Sequence, residues 1–505
     1  MRLLNSRRTR PCSHHFALPI LVATLIGLTP PPVAAQSSRL ELGRRLQRFE
    51  IAFENAPEDR RAAALKPLKT AVNSFFSLRL AEAGKQLDAA WIAVRTPPAA
   101  PSPLEQSVIG LQIIPSPVCA DSSHQSLNIK LDAFYDTPYP PPADAALSLH
   151  ITDTPGKNLA QTTIPLSIAL AGATWNHPEL PPGDHQLHAT IQHNSESFTL
   201  PSSTLSRVPN FAQRIQQLEK HIAASTKTPT PEPSADSLRT NLVNATLKST
   251  LATASALQKN RLQETDYPIL DRITFCEQLA DPNAPADTIL QHARTADTWI
   301  SLARGNKSVP VRLRAPQQTD NPTTPLPVLF LFHGAGGSEN MFFETYGAGR
   351  AVREATSRGW LVVAPGQGLL GLALDLPDLL NALETSFPID RSKVMLLGHS
   401  MGAAQVIRQV QKHPNIPVAA VALGGGNRFT PPNSPSPGNT SHPTPKWFVA
   451  AGSDDFGKPG ALQLHRSLTA ANLPSTYREY QRIEHLAIVQ VAIPEAFNFL
   501  QLSLP

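Results

Sequence analysis

The sequence predicts a multidomain protein that ends in an α/β domain, with a mostly parallel sheet flanked by helices. Three observations lead to this. The chain has 505 residues, which is long for a single domain. Apolar runs alternate with helical patterns from residue 301 to the end. Before residue 301, helical and strand periodicities occupy separate stretches, which indicates helical and β-sandwich-like accessory regions.

The first 35 residues have the pattern of an export signal. Four arginines precede the apolar stretch "FALPILVATLIGLT". Val33 and Ala35 then occupy the small-residue positions of a cleavage site. The apolar stretch is short for a membrane span and contains Pro19. We therefore expect a cleaved signal (1–35), export to the periplasm or the medium, and no stable membrane span.

The signal also carries most of the positive charge. The formal net charge of the whole sequence is +5, and the signal holds four arginines and no acidic residue, which leaves about +1 (5 − 4). A nearly neutral chain gives no reason to expect a nucleic-acid partner.

Two cysteines remain outside the signal, because Cys12 lies within it. Cys119 and Cys276 are too few and too far apart to form a metal cage, and no metal site is expected. They either form an interdomain disulfide, as an oxidising compartment allows, or stay as two buried thiols.

Residues 36–98 are predicted to be helical. Leu42, Leu46, Phe49 and Phe53 recur at spacings of four, three and four, which places them on one helix face as a core stripe. The proline-rich stretch "RTPPAAPSP" ends this region.

Residues 99–208 are predicted to form a small β-sandwich of immunoglobulin-like type. The runs "SLNIKLDAF", "LSLHI" and "HQLHATI" alternate apolar and polar residues, and turns separate them. "LPPGDHQLHATI" resembles the late hairpin of bacterial immunoglobulin-like modules. Residues 209–300 return to a helical pattern, which the loop "TKTPTPEPSADS" interrupts.

In residues 301–505, polar and glycine-rich segments follow the predicted strands. Six strand-like runs are present, and four of them, "VLFLF", "VMLL", "WFVA" and "TYREY", are followed by such segments, at 333–337, 398–402, 451–455 and 481–485. Ligands of parallel sheets bind at the carboxyl ends of the strands. A glycine-rich turn, a serine, an acid and a histidine are therefore expected at one edge of the sheet.

The segment "GHSMG" (398–402) has the form Gly-x-Ser-x-Gly. At a strand–helix junction this form holds the serine, Ser400, in a strained backbone with its hydroxyl exposed. Gly398 and Gly402 remove side chains where the strand and the helix crowd. A serine hydroxyl is a poor nucleophile until a base takes its proton. His485 is the candidate base, and either Asp455 or Asp454 can hold its imidazole.

A tetrahedral intermediate also needs N–H donors, which form an oxyanion hole. Met401, just after the serine, can supply one. The turn after "VLFLF", which includes Gly334, can supply the other, most simply from Ala335. His333 is expected to brace this turn, and Glu484 to lie at the surface or behind His485.

These motifs carry a family resemblance. Residues 301–505 resemble α/β-hydrolases, specifically the secreted esterase group that includes polyhydroxybutyrate depolymerase-like, feruloyl and acetylxylan esterases. The resembling segments are "PLPVLFLFHGAGGSE", "FPIDRSKVMLLGHSMGA", "VAAGSDDFGKPG" and "YREYQRIEHL". They present serine, acid and histidine in the order that this fold requires. The family often has a further glycine after the serine motif, where this chain has Ala403.

The resemblance implies roles for particular residues. Ser400 is the nucleophile and His485 the base. Gly452 and Pro459 match the pattern around the family's acid and so select Asp455. Asp454 is the second candidate for the acid.

The implied activity is hydrolysis of carboxylic esters through an acyl-enzyme, with no cofactor. The expected substrate is a small-molecule or polymer-linked ester. The regions before residue 301 either bind a polysaccharide or polyester or cover the site. Two alternatives stay open: a serine peptidase, because the triad does not separate esters from amides, and a non-catalytic binding protein on a hydrolase scaffold.

Overall fold

The computed structural model describes most of the chain: residues 33–96, 99–225, 234–304, 307–317, 324–368, 375–431 and 444–505. Cys12 and all but the last three residues of the predicted signal (1–35) lie outside the described residues. Within the described ranges, no helix combines the length and apolarity needed to cross a lipid bilayer.

The N-terminal region is helical, as the spacing of its apolar residues predicts. Its helices are α1 (Val33–Glu54), α2 (Glu58–Ala63), α3 (Leu65–Phe76) and α4 (Leu80–Val94). The stripe Leu42, Leu46, Phe49 and Phe53 is buried on α1, in one cluster with apolar residues of the last 180 residues of the chain. The region therefore shares a hydrophobic core with the C-terminal domain.

The next region contains two small sheets. Its elements are α5 (Pro103–Val108), β1 (Leu111–Ser116), β2 (Cys119–Asp121), β3 (Ser126–Ala133), β4 (Ala146–Thr152), β5 (Asn158–Pro165), α6 (Leu166–Ala171), β6 (Ala173–Asn176), β7 (Gly183–His193) and β8 (Glu196–Val208). The strand orders are β1-β3-β6 and β2-β8-β7-β4-β5. Alternate residues such as Ile129 on β3 and Leu149 on β4 are buried in one cluster, so the two sheets share an apolar layer.

Four helices connect these sheets to the last domain: α7 (Phe211–Ser225), α8 (Ala235–Gln258), α9 (Ile269–Ala280) and α10 (Thr288–Thr295). Ser234 and Ser237 form a reciprocal capping box that starts α8. The greater part of the loop before it, 226–233, lies outside the described residues.

Both remaining cysteines are buried free thiols, as the second of the two alternatives predicts. Cys119 lies on β2 and Cys276 on α9. Burial raises the pKa of Cys119 to about 12 and that of Cys276 to about 11. Neither thiol is therefore ionised near neutral pH, and both pack as small apolar groups.

The C-terminal domain is built on one mostly parallel sheet, as predicted. Its elements are β9 (Thr298–Arg304), β10 (Lys307–Arg314), β11 (Leu326–Phe332), α11 (Met341–Glu344), α12 (Arg350–Ser357), β12 (Leu361–Pro365), α13 (Leu376–Glu384), β13 (Ile389–His399), α14 (Met401–Lys412), β14 (Pro417–Leu423), β15 (Lys446–Gly452), α15 (Lys458–Ala470), β16 (Ser475–Tyr480) and α16 (Ala487–Ser503). The strand order is β16-β15-β14-β13-β11-β12-β10-β9. The pairs β9–β10 and β10–β12 are antiparallel, and the other pairs are parallel.

Both faces of this sheet are covered. On β11, Leu329 and Leu331 join the cluster that contains α1, α12 and α16, whereas Phe330 and Phe332 join the cluster that contains α13, α14 and α15. Successive side chains of a strand point to opposite faces. Burial on both faces explains why "VLFLF" is apolar throughout instead of alternating.

Buried ionic contacts fix α1 to the regions that follow it. The guanidinium of Arg45 pairs with Asp88 on α4 and, at 2.9 Å, with Glu41. It also donates to the carbonyl oxygens of Ile109 at 2.9 Å and Leu111 at 3.2 Å. These partners stabilise a buried charge and tie α1 to α4 and β1.

Candidate active site

The predicted serine, histidine and acid meet at the carboxyl edge of the C-terminal sheet. Ser400 follows β13, Asp455 follows β15 and His485 follows β16. Nε2 of His485 lies 2.9 Å from Oγ of Ser400, and Nδ1 of His485 lies 2.7 Å from Oδ1 of Asp455. A single hydrogen-bonded chain therefore connects the carboxylate to the serine hydroxyl.

The backbone at Ser400 is strained, as the glycine spacing predicts. Ser400 has φ 57° and ψ −117°, a region that residues with a side chain rarely adopt. A Cβ atom at Gly398 would lie 2.2 Å from the carbonyl oxygen of Gly402, and one at Gly402 would lie 1.9 Å from that of Phe332. Only glycine at both positions lets α14 approach β13 and β11 closely enough to make this turn.

The structure separates the two candidate acids. Asp455 is buried, and its Oδ1 also accepts the N–H of Gly457 at 2.6 Å. Burial opposes its ionisation, but the hydrogen bond and charge of His485 and the Gly457 N–H lower the pKa of Asp455 below its ordinary value. Asp454 instead faces the surface and pairs with Lys69 of α3 at 2.5 Å. Only Asp455 is placed to orient the imidazole.

The glycine-rich turn after β11 lies beside the serine. A Cβ atom at Gly334 would lie 3.3 Å from Cβ of Ser400. Nδ1–H of the buried His333 donates to the carbonyl oxygen of Gly334 at 2.8 Å, and its Nε2 accepts the N–H of Gln367 at 3.1 Å. His333 thus links the turn to the segment after β12. Burial lowers its pKa, so it makes these contacts as a neutral ring.

The two proposed N–H donors belong to adjacent segments. Ala335 lines the same cavity as Ser400 and His485. Met401 is the first residue of α14, where backbone N–H groups are free of intrahelical partners and the helix dipole is positive.

His399, between Gly398 and Ser400, supports His485 from behind. It is buried, and its Nε2–H donates to the carbonyl oxygen of His485 at 2.8 Å. Burial and then the charge of His485 lower the pKa of His399 to about 3, so this ring is neutral near pH 7. The sequence gives no signal for this contact, because the residue before the serine is a variable position of the Gly-x-Ser-x-Gly motif.

Two positions were expected for Glu484, one at the surface and one behind His485. Glu484 is buried, which excludes the surface. Its Oε1 accepts the N–H groups of Leu486 and Ala487, each at 2.8 Å, at the start of α16. Burial raises the pKa of Glu484 to about 7. Glu50 of α1 is also fully buried, and burial followed by the charge of Glu484 raises its pKa well above the ordinary value.

A cavity of about 310 Å³ lies over Ser400 and His485. One side is formed by the turn after β11, and the facing side comes from α1, α3 and α4. Phe456, half-exposed, lies against His485 with ring centroids 3.9 Å apart. Sequence patterns did not reveal these lining residues, because a helical apolar stripe has the same spacing in a core and in a pocket wall.

The arrangement has the groups that nucleophilic catalysis requires. A serine hydroxyl that donates to an imidazole, itself oriented by a carboxylate, can attack a carbonyl carbon. Within the ranges that the structure describes, no group of three or more His, Cys, Asp or Glu side chains is arranged to hold a metal ion.

Comparison with known proteins finds a similarity in the last domain. Residues 328–494 match the model of the alpha/beta hydrolase family. Among curated proteins, none matches the sequence.

Several solved structures are similar to part of the chain. The S-formylglutathione hydrolase FrmB from Staphylococcus aureus is 17% identical, with 41% of this chain and 99% of that chain covered and a TM-score of 0.34. A ferulic acid esterase is 18% identical, with 42% and 98% covered and a TM-score of 0.34. An S-formylglutathione hydrolase from Agrobacterium tumefaciens is 14% identical, with 42% and 99% covered and a TM-score of 0.33.

The family match coincides with the strands and helices that carry Ser400, Asp455 and His485. The C-terminal domain has the α/β-hydrolase fold, and its residues 328–494 are similar to the alpha/beta hydrolase family.

Proposed function

We propose that the protein is an exported serine esterase that hydrolyses carboxylic esters through an acyl-enzyme. The observation that carries this proposal is the hydrogen-bonded chain from Asp455 through His485 to Ser400, which ends in a cavity. A buried carboxylate and an imidazole arranged in this way serve to activate a hydroxyl.

In the first half of the reaction, Oγ of Ser400 attacks the carbonyl carbon of the ester. Nε2 of His485 takes the hydroxyl proton as the C–O bond to the serine forms. Asp455 accepts from Nδ1–H and stabilises the positive imidazole. The tetrahedral intermediate collapses, the alcohol leaves with the proton from Nε2, and an acyl-serine remains.

The negative oxygen of the intermediate needs hydrogen-bond donors. We assign this role to the N–H groups of Ala335 and Met401. The start of α14 favours negative charge at this point, because the helix dipole is positive there.

In the second half, water replaces the alcohol. His485 removes a proton from the water, which attacks the acyl carbon, and the proton returns to Oγ of Ser400 as the acid is released. The net reaction is ester plus water to acid plus alcohol, and no cofactor takes part in it.

Export and polymer binding are also proposals. Export rests on the pattern of residues 1–35, and N-terminal sequencing of the protein from the culture medium or periplasm would locate the cleavage site. Binding of a polysaccharide or polyester by the regions before residue 301 can be tested by co-sedimentation of the full chain with each insoluble polymer.

The first test is hydrolysis of p-nitrophenyl acetate and butyrate by the wild type and by Ser400→Ala. We expect kcat/KM to fall on the order of 10⁴-fold or more in the variant. Ser392→Ala, at an exposed serine near the start of β13, is the matched control and should retain full activity. A folded wild type no faster than Ser400→Ala would favour the peptidase or binding-protein alternative, and peptide substrates would be tested next.

A further inference from the structure

The N-terminal helices form one side of the cavity that contains Ser400. The apolar side chains with which these helices line it include six that are buried: Leu42, Leu46, Ala71, Val72, Ala83 and Leu87. They come from α1, α3 and α4, whereas the reactive groups come from the C-terminal domain. Two regions that are far apart in sequence therefore enclose the same space.

The wall of the cavity that α1, α3 and α4 form contacts the turn beside the serine. A Cβ atom at Gly336 would lie 2.8 Å from the ring of Phe75, at the end of α3. The guanidinium of Arg39 on α1 donates to the carbonyl oxygen of Gly336. The helices thus pack directly on the turn that we assign to oxyanion binding, so the wall belongs to the reaction site.

The charged side chains that line the cavity are neutralised by partners in the protein. Arg39 pairs with Glu264 at 3.3 Å, Arg44 pairs with Asp266 at 2.7 Å, and Glu344 pairs with Arg312. These pairs compete with a charged substrate group, whereas the six helix side chains present only hydrocarbon. The cavity therefore suits a neutral, apolar group.

The volume sets the size of that group. A cavity of about 150 Å³ is large enough to hold benzene. The cavity here, at about 310 Å³, has room for an aromatic ring with a short chain, or for a medium-length alkyl chain.

We propose that α1, α3 and α4 form the binding pocket for an apolar group of the substrate, so that this protein acts on small esters of aryl or medium-chain alkyl type. The inference rests on the proposed esterase function, since it concerns the substrate of the same site. It assigns these helices to substrate selection rather than to attachment to a polymer.

The proposal predicts a chain-length dependence. Each buried methylene contributes enough hydrophobic free energy to raise kcat/KM by about fourfold, if the gain is realised in the transition state. Activity should therefore rise from acetate to hexanoate and then level off when the cavity is full.

The experiment uses the full-length protein with two ester series. In one, p-nitrophenol is constant and the acyl chain runs from acetate to octanoate. In the other, acetate is constant and the alcohol runs from ethyl to hexyl and phenyl. The series that responds identifies whether the acyl or the alcohol group occupies the pocket. Titration with a small fluorophosphonate counts the reactive Ser400 sites in every preparation.

Three variants of α3 test whether this wall determines the dependence of kcat/KM on chain length. Val72→Phe fills the cavity and should lower the hexanoate-to-acetate ratio of kcat/KM, or the matching alcohol ratio, at least tenfold. Val72→Ala enlarges the cavity and should move the optimum to longer chains, which gives a second test if the larger side chain prevents folding. Asn73→Phe, on the exposed side of the same helix, should keep the wild-type profile.

The outcomes separate this inference from the proposed function. The proposed pocket is supported if both Val72 variants change the dependence of kcat/KM on chain length while Asn73→Phe leaves it unchanged. The pocket is refuted if the wild type hydrolyses acetate esters but shows no chain-length preference in either series. It is also refuted if the Val72 variants keep the wild-type chain-length dependence. Neither outcome contradicts the proposed esterase function. A folded wild type that hydrolyses no ester and does not react with the fluorophosphonate refutes the esterase itself.

Discussion

The ring of Phe456, just after the acidic residue Asp455, lies against the imidazole of His485, with centroids 3.9 Å apart. The same ring meets Phe76 of α3 edge to face, with centroids 6.2 Å apart. Phe456 therefore connects the N-terminal helices to the histidine, and it does so while half of its surface is exposed. An exposed aromatic ring in this position covers one face of the proposed base.

Replacing Phe456 should weaken catalysis without unfolding the protein. Paired rings are worth about 0.5–1.5 kcal/mol beyond their buried area. We therefore expect Phe456→Ala to lower kcat/KM for p-nitrophenyl butyrate by about twofold to tenfold. Tyr139→Ala removes an equally exposed ring from the region between β3 and β4 and should have no effect. Equal activity of both variants and the wild type would contradict a role for Phe456.

The two adjacent aspartates should differ sharply in their effect on activity. Asp455→Asn keeps the shape of the side chain but loses the charge that holds His485, and comparable changes lower kcat on the order of 10⁴-fold. Asp454→Asn removes an exposed ion pair with Lys69, worth about 0–1 kcal/mol, and does not touch His485, so kcat should change by no more than about fivefold. Steady-state hydrolysis of one ester by the two variants decides the assignment. Similar losses in both would mean that the acid is not fixed at Asp455.

A methyl group at Gly402 should disrupt the turn that holds Ser400. The new Cβ atom would overlap the carbonyl oxygen of Phe332, at 1.9 Å, so β11 and α14 must separate. Overpacking of this kind costs about 1–3 kcal/mol. Gly402→Ala should therefore have a lower free energy of unfolding in urea and should lose ester hydrolysis. Gly43→Ala in α1, where the nearest atom would be 3.6 Å away, is the control. Its free energy of unfolding should be unchanged or slightly higher.

Glu50 should make the stability of the protein depend on pH. Burial and then the charge of Glu484 raise its folded-state pKa well above 4.5. The folded state therefore keeps a proton that the unfolded state releases above pH 4.5, so the free energy of unfolding falls as the pH rises towards the folded-state pKa. Glu50→Gln has no proton to lose. The free energy of unfolding of Glu50→Gln, minus that of the wild type, should therefore increase from pH 5 to pH 8.

Urea unfolding at pH 5 and pH 8 measures this difference. Glu58→Gln, on the exposed helix α2, is the control and should follow the wild type at both values. If Glu50→Gln and the wild type lost stability in parallel between the two pH values, the buried carboxyl of Glu50 would not be the titrating group.

The sequence alone determined the C-terminal fold and the four segments that meet at its edge. Apolar runs that do not alternate imply strands buried on both faces, and such strands imply a parallel sheet. Parallel strands end at one edge, so the residues that follow them are brought together even when they are 85 positions apart, as Ser400 and His485 are. The glycines at 398 and 402 add a local steric requirement that can be recognised without coordinates.

Tertiary structure decided the direction of neighbouring side chains and the partners of each buried face. Asp454 and Asp455 are adjacent, yet one faces Lys69 at the surface and the other faces His485. On α1, Leu46 lines the cavity while Phe49 lies in the core, although both belong to one stripe. Periodicity shows which face of a helix is buried. It does not show what covers that face, because the covering atoms come from distant parts of the chain.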